Sequence, residues 1–195
     1  PKPSSAASDV YKRQLDGWFR PTTVAAQSTI IDFRPTGTNG FYPLVYIAAG
    51  GALVYHTNSA ARITGGTTVT TNTWHHFAVV RNLGTTTLYL DGVSQGTWAD
   101  SSNYAVPSTI RIGANNGATN GFTGALDEIC LQVGLAQWTT GFSGSLPAAA
   151  CTPTYIYGDK KTGWEARFTD TTQTVFYNTG STQFVDVTVR AGNLP

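Results

Sequence analysis

No segment of this chain sustains an apolar repeat of about 3.6 residues over the length of a helix, which removes helix-built architectures from consideration. What recurs instead is a short apolar or alternating run followed by Gly, Asn, Asp or Pro. Strands are predicted at Gly17–Arg20, Thr29–Phe33, Tyr42–Ala48, Leu53–Thr57, Trp74–Arg81, Thr86–Leu90, Val93–Trp98, Thr109–Ile112 and Phe122–Gln132. Between them stand Asn39-Gly40, Gly50-Gly51, Asn82-Leu83-Gly84, Asp91-Gly92 and Asn116-Gly117. Asp-Gly and Asn-Gly tolerate the positive φ of a type I′ turn, so Leu88-Tyr89-Leu90-Asp91-Gly92-Val93 reads as a hairpin. Regularly spaced short strands predict an all-β protein with two antiparallel sheets stacked as a sandwich. Helix is confined at most to a turn near Leu135–Trp138.

Apolar residues make up 41% of the 195, enough for one sizeable β core. Charged residues are only 12%, and the net charge is +1, with Lys and Arg scattered. A nucleic-acid groove needs clustered basic residues, so that partner is excluded. No apolar run approaches the length of a membrane span. The chain contains no Met, and we expect it to be a processed product or a fragment of a longer, metagenomic reading frame. Residues 1–14 have no strand or helix period. Their end, Ser4 to Gln14, resembles translated sequencing-adapter read-through, and the stretch is set aside as a disordered leader or artefact. The sandwich is expected over residues 15–143. Pro and small residues mark 144–153 as a linker. Residues 154–195 read as a small β meander, a C-terminal appendage with strands at Tyr155–Tyr157, Trp164–Thr169, Thr174–Tyr177 and Gln183–Val189.

Three ordered segments carry a resemblance. They are Asp16-Gly17-Trp18-Phe19-Arg20-Pro21; Thr73-Trp74-His75-His76-Phe77-Ala78-Val79-Val80-Arg81 followed by Leu88-Tyr89-Leu90-Asp91-Gly92; and Gly124-Ala125-Leu126-Asp127-Glu128-Ile129 followed by Gly134-Leu135-Ala136-Gln137-Trp138-Thr139. Together, over roughly Leu15 to Phe142, the chain resembles the laminin-G-type (LamG-like) jelly-roll domains of the concanavalin A-like lectin/glucanase superfamily. The last segment is most similar to those of phage tail-fibre and other virion proteins. The resemblance implies two curved antiparallel sheets face to face, and recognition of sugar, glycan or protein. Two departures stand out: the match starts at its first strand with no upstream strand, and Cys130 replaces the usual Arg.

Along Trp74–Arg81, side chains alternate, with Trp74, His76, Ala78 and Val80 on one face and His75, Phe77, Val79 and Arg81 on the other. Both faces are mostly apolar, which predicts a central strand covered on both sides. The two histidines point oppositely and cannot share a metal, and His76 is expected to be a hydrogen-bonded core residue. Asp127 and Glu128 also fall on opposite faces. Retaining glycosidases of this fold resemble Glu-x-Asp-x-(x)-Glu, whose third carboxylate is missing here, so no catalytic residue is expected. Cys130 is expected to be a free, buried thiol, and pairing with Cys151 is left open, because a bridge needs Cα atoms within about 7 Å.

Aromatic residues in polar loops are the remaining signal. A sugar site pairs an aromatic face with Asn and Asp for the hydroxyls. Trp98, Asp100, Asn103, Tyr104, Asn115, Asn116 and Asn120 are the ligand-binding candidates. The competing reading makes Trp98 a core residue and the asparagines turn formers. No cofactor is expected; Ca²⁺, which wants oxygen ligands, has Asp100 and Asn103 as candidates by residue type. The expected function is a non-catalytic module that binds cell-surface carbohydrate or a receptor, in a phage tail fibre, another virion protein or a secreted multidomain protein beside other subunits. The alternatives are a structural capsid or tail protein without a small ligand, and a glycoside hydrolase. Either of the first two readings places the chain outside the cell or on a virion.

Overall fold

The computed structural model describes residues 12–105, 109–133, 136–142, 157–159, 164–170, 173–178 and 185–188. Ten strands form the sandwich: β1 (Lys12–Pro21), β2 (Ser28–Asp32), β3 (Leu44–Ile47), β4 (Ala52–Thr57), β5 (Ala60–Thr68), β6 (His75–Asn82), β7 (Thr85–Leu90), β8 (Val93–Ala99), β9 (Thr109–Ile112) and β10 (Gly124–Val133). They pair antiparallel in two sheets, β10-β1-β6-β7-β8 and β9-β2-β3-β4-β5. Beyond them are β11 (Tyr157–Asp159), β12 (Trp164–Asp170), β13 (Gln173–Asn178) and β14 (Val185–Thr188). β13 pairs with β10 and β14 with β9, so the two sheets continue at those edges. The described residues contain no helix, hence none long and apolar enough to cross a membrane.

The core lies between the sheets, where Phe19, Phe77 and Leu88 of one sheet meet Ile31, Ile47, Leu53 and Ile112 of the other, each almost fully buried. Side chains of this size contribute about 1.5–3 kcal/mol apiece when removed from water. β6 is central, as its two-sided apolar pattern predicts. Its Phe77 and Val79 enter the main core. Ala78 and Val80 face outward and join Tyr89 in a second cluster under Trp138 and Phe142. His76 is buried in that outer layer, edge-on to Trp18 and Trp138, with Nε2 3.8 Å from Asp16 Oδ2. The Asp91-Gly92 turn has φ of 51° and 78°, the double positive sign that a type I′ hairpin needs.

Three local features differ from the sequence-based expectation. β1 begins at Lys12, inside the stretch set aside as leader. Gln14 is buried there because its Oε1 accepts the backbone N–H groups of Gln137 (3.0 Å) and Trp138 (3.3 Å), a compensation no periodicity reveals. β5 was not predicted: Gly65-Gly66 resembles a turn, and Ile63 is its only bulky apolar residue. A Cβ on Gly65 would come within 3.0 Å of Gln95 and 3.2 Å of the Leu53 carbonyl, so close approach explains that glycine. Finally, Cys130 is disulfide-bonded, which overturns the free thiol. The pairing depends on a distance that sequence does not encode. Cys151, the linker 144–153 and the rest of the leader lie outside the described residues, as do Leu135 and the end of the proposed helical turn that contains it.

Candidate ligand-binding site

The inner face of β6 starts at His75, runs through Phe77 and Val79, and ends at Arg81. A charged residue at the end of an otherwise apolar face must find its partners inside the sandwich mouth. The partners come from the segment after β8. The Leu83-Gly84 turn, both residues at positive φ, joins β6 to β7, and the Gly84 carbonyl accepts the N–H of Asp100 at 2.7 Å. That bond turns Asp100 inward. Its carboxylate accepts from Thr86 Oγ1 (2.7 Å), Tyr104 OH (2.9 Å) and Ser102 N–H (3.0 Å). Tyr55 and Tyr104 share a 2.7 Å hydroxyl contact. Because Tyr104 donates to Asp100, Tyr55 is the donor to Tyr104. Burial raises the pKa of both phenols, and Asp100 pushes the same way, so both stay protonated.

Arg81, only 4% exposed, donates from Nη2 to the carbonyls of Asp100 (3.0 Å) and Ser102 (2.9 Å). Its Nε lies 3.5 Å from Asp100 Oδ2, an ion pair without a hydrogen bond, and neither Nε nor Nη1 has a hydrogen-bond partner among the described residues. Arg13, from the start of β1, places its guanidinium 4.7 Å from the Tyr104 ring centre, and Arg81 lies 5.2 Å from the same ring. Burial lowers the pKa of Arg13, and the neighbouring Arg81 charge adds to the lowering. Between these groups is a cavity of about 20 Å³, floored by Leu15, Phe33 and Val79. Phe41 packs edge-on to Tyr104 at 6.4 Å and carries the rim across to the other sheet.

The structure brings together some of the residues proposed from sequence and separates others. Asp100 and Tyr104 line the cavity, and Asn103 is exposed between them. Trp98 packs against the core with Arg62 over its ring at 4.9 Å, on the flank where β5 meets β8. Asn115, Asn116 and Asn120 belong to a different loop, which turns back over β2. Asn115 Oδ1 accepts from Gly117 and Thr119, while Asn116 donates to Asp32 Oδ2 and to the carbonyls of Pro35 and Thr38. Asn120 is exposed at φ 50°, with its carbonyl bonded to Thr29. The bonds of Asn115 and Asn116 are made within this loop and to the segment after β2. The Asp100 oxygens, the calcium candidate by residue type, accept from Thr86, Tyr104 and Ser102 and lie beside the Arg81 guanidinium. Among the described residues, no three His, Cys, Asp or Glu gather as a metal site. Arg13, Tyr55 and Arg81 were missed. Arg81 was legible as a lone charge on an apolar strand face, whereas Arg13 sat in the discarded leader.

Comparison with family models matches residues 15–132 to the concanavalin A-like lectin/glucanases superfamily. The chain belongs to that superfamily. Among solved structures of this fold, a Bacteroides ovatus protein assigned as carbohydrate-binding aligns with 93% of this chain and 55% of its own length, at 14% identity and TM-score 0.59. This chain therefore spans little more than half of that protein. The CBM40 of Ruminococcus gnavus IT-sialidase aligns with 67% of this chain and 79% of its own, at 13% identity and TM-score 0.52. At such identities the likeness concerns the fold. Comparison with curated proteins returns no match.

In a superfamily that holds lectins and glucanases, the placement of carboxylates bears directly on chemistry. Retaining glycoside cleavage uses two of them about 5 Å apart. Here Asp16 is bonded to Gln14, Asp32 to Arg34, Asp91 to His75, Asp100 to Thr86 and Tyr104, and Asp127 to the Glu128 backbone. One other row has nucleophilic spacing: Thr70 Oγ1 to His75 Nε2 at 2.9 Å and His75 Nδ1 to Asp91 Oδ2 at 2.7 Å. With Nδ1–H directed to Asp91, Nε2 is an acceptor, and it also takes the Thr70 backbone N–H at 3.2 Å. Asp91 Oδ1 holds the His76 N–H at 2.8 Å. The row clamps the chain entering β6 to the β7–β8 hairpin.

Proposed function

We propose that this chain is a non-catalytic carbohydrate-recognition module that binds cell-surface glycan at the Arg13–Tyr104 end of the sandwich. The observation that carries the proposal is the grouping there of an aromatic ring, guanidinium donors without hydrogen-bond partners and the exposed polar residues Ser101 and Asn103. An aromatic face stacks under sugar C–H bonds while planar donors take hydroxyls, which is the composition of a sugar site. Membership of a lectin-containing superfamily and a fold neighbour assigned as carbohydrate-binding support it. The setting we infer is extracellular, either a virion fibre or a secreted multidomain protein.

A glycan array probed with the full chain tests this. At least one glycan binds, and Asn103→Ala weakens that binding while Trp74→Ala, at the far end of the sandwich, leaves it unchanged. Silence across the array overturns the proposal. Burial of residues 100–105 against other subunits of a particle would then favour the structural role.

A further inference from the structure

We propose that the cavity beneath Tyr104 is an anion subsite that takes one carboxylate, either from an acidic sugar of a bound glycan or from a free carboxylic acid; the first source rests on the carbohydrate reading, the second does not. Buried donors in folded proteins are almost always paired, and each exception asks for a cause. Arg81 has two, Nε and Nη1, inside a side chain 5% exposed. Neither is left over from a crowded network, because the same guanidinium uses Nη2 fully on two carbonyls.

Charge points the same way. Two guanidinium groups, Arg13 and Arg81, face one carboxylate, Asp100, so the cavity wall carries one positive charge in excess. Asp100 does not offset both, since Thr86, Tyr104 and Ser102 already donate to it. The hydroxyls of Tyr55 and Tyr104 form a chain that runs to Asp100, Thr86 donates to the same carboxylate, and none of the three supplies a negative charge to Arg13. Arg13 stacks on Tyr104 and makes no ion pair within the described residues. A water would accept from the free N–H groups and still leave the excess charge. A carboxylate oxygen supplies acceptor and charge together.

Size selects among anions. A cavity of about 20 Å³ admits a single oxygen-sized group. One oxygen of a carboxylate enters such a space with the rest of the group at the mouth beside Arg13, and its single negative charge matches the single excess positive charge, where sulfate brings two.

Calorimetric titration of the full chain with sodium acetate, sodium glucuronate, sodium sulfate and glucose, at matched ionic strength, tests the assignment. Acetate and glucuronate bind, and sulfate and glucose do not. Arg13→Gln, at the partly buried mouth, weakens acetate binding about tenfold or more. Absence of binding by acetate and glucuronate up to about 100 mM overturns the subsite. So does an Arg13→Gln variant that folds and binds acetate as tightly as the parent chain. Equal binding of sulfate overturns the choice of carboxylate. The two proposals fail separately: a silent titration with a positive array removes only the anion subsite. A positive titration with a silent array removes the glycan and leaves a free acid as the ligand.

Discussion

β6 carries a basic side chain at each end of its inner face, and the fold treats the two in opposite ways. At the entrance, His75 has both ring nitrogens engaged, Nδ1 with Asp91 and Nε2 with Thr70. At the exit, Arg81 is more deeply buried, yet two of its donors, beside a cavity, have no partner among the described residues. Each lies near an aspartate, so proximity of charge does not distinguish them. Completeness of hydrogen bonding does. A satisfied polar cluster rigidifies the chain, whereas an incomplete one retains capacity for a ligand.

The largest expected effect tests whether the exit end is held by Asp100. Asp100→Ala removes the acceptor of Thr86, Tyr104 and Ser102 and leaves Arg81 buried without its counter-charge, costing about 3–5 kcal/mol in urea unfolding. At the entrance, Asp91→Ala frees His75 Nδ1 and the His76 N–H at a half-exposed site, and we expect a loss of about 1–3 kcal/mol. Thr70→Val removes one hydroxyl bond to His75, with an expected cost of about 0.5–1.5 kcal/mol and unchanged glycan binding. A loss of binding in that variant would break the contrast, because it would give the entrance end a functional role. Arg13→Gln, which removes the stacking on Tyr104, should cost about 0.5–1 kcal/mol of stability while weakening binding.

A pH titration sharpens the comparison with a basic group on the other sheet. Burial lowers the pKa of His56, with the Arg34 charge adding to the effect. The folded chain therefore binds fewer protons than the unfolded chain just below the ordinary histidine value of about 6.5. Stability is full above that value and falls as pH drops from it toward the depressed folded pKa. His56→Gln should flatten this acid slope in urea melts at stepped pH; an unchanged slope would place its origin elsewhere.

The fold was legible because β6 and the Asp91-Gly92 hairpin are locally consistent with it, in apolar alternation and in turn chemistry. β5 escaped because its glycines serve close packing against Gln95 and Leu53, a tertiary cause with no periodic trace. The site was legible only in part. Asp100 and Tyr104 stood out as polar and aromatic loop residues, but their role depends on Arg13, which is brought to them from near the start of the sequence by β1–β6 pairing. Asn115 and Asn116 looked equally suitable by type, and only the bonds to Gly117, Thr119 and Asp32 show that they shape their own loop.

Amide chemical-shift mapping of the ¹⁵N-labelled chain, titrated with a glycan that binds it on the array, addresses the contrast between the two ends most directly. The largest changes are expected at Arg13, Phe41 and Ser102 to Ala105, with Thr70 to His75 unmoved. Changes centred on Thr70 to Trp74, with the Arg81 end silent, would contradict the account.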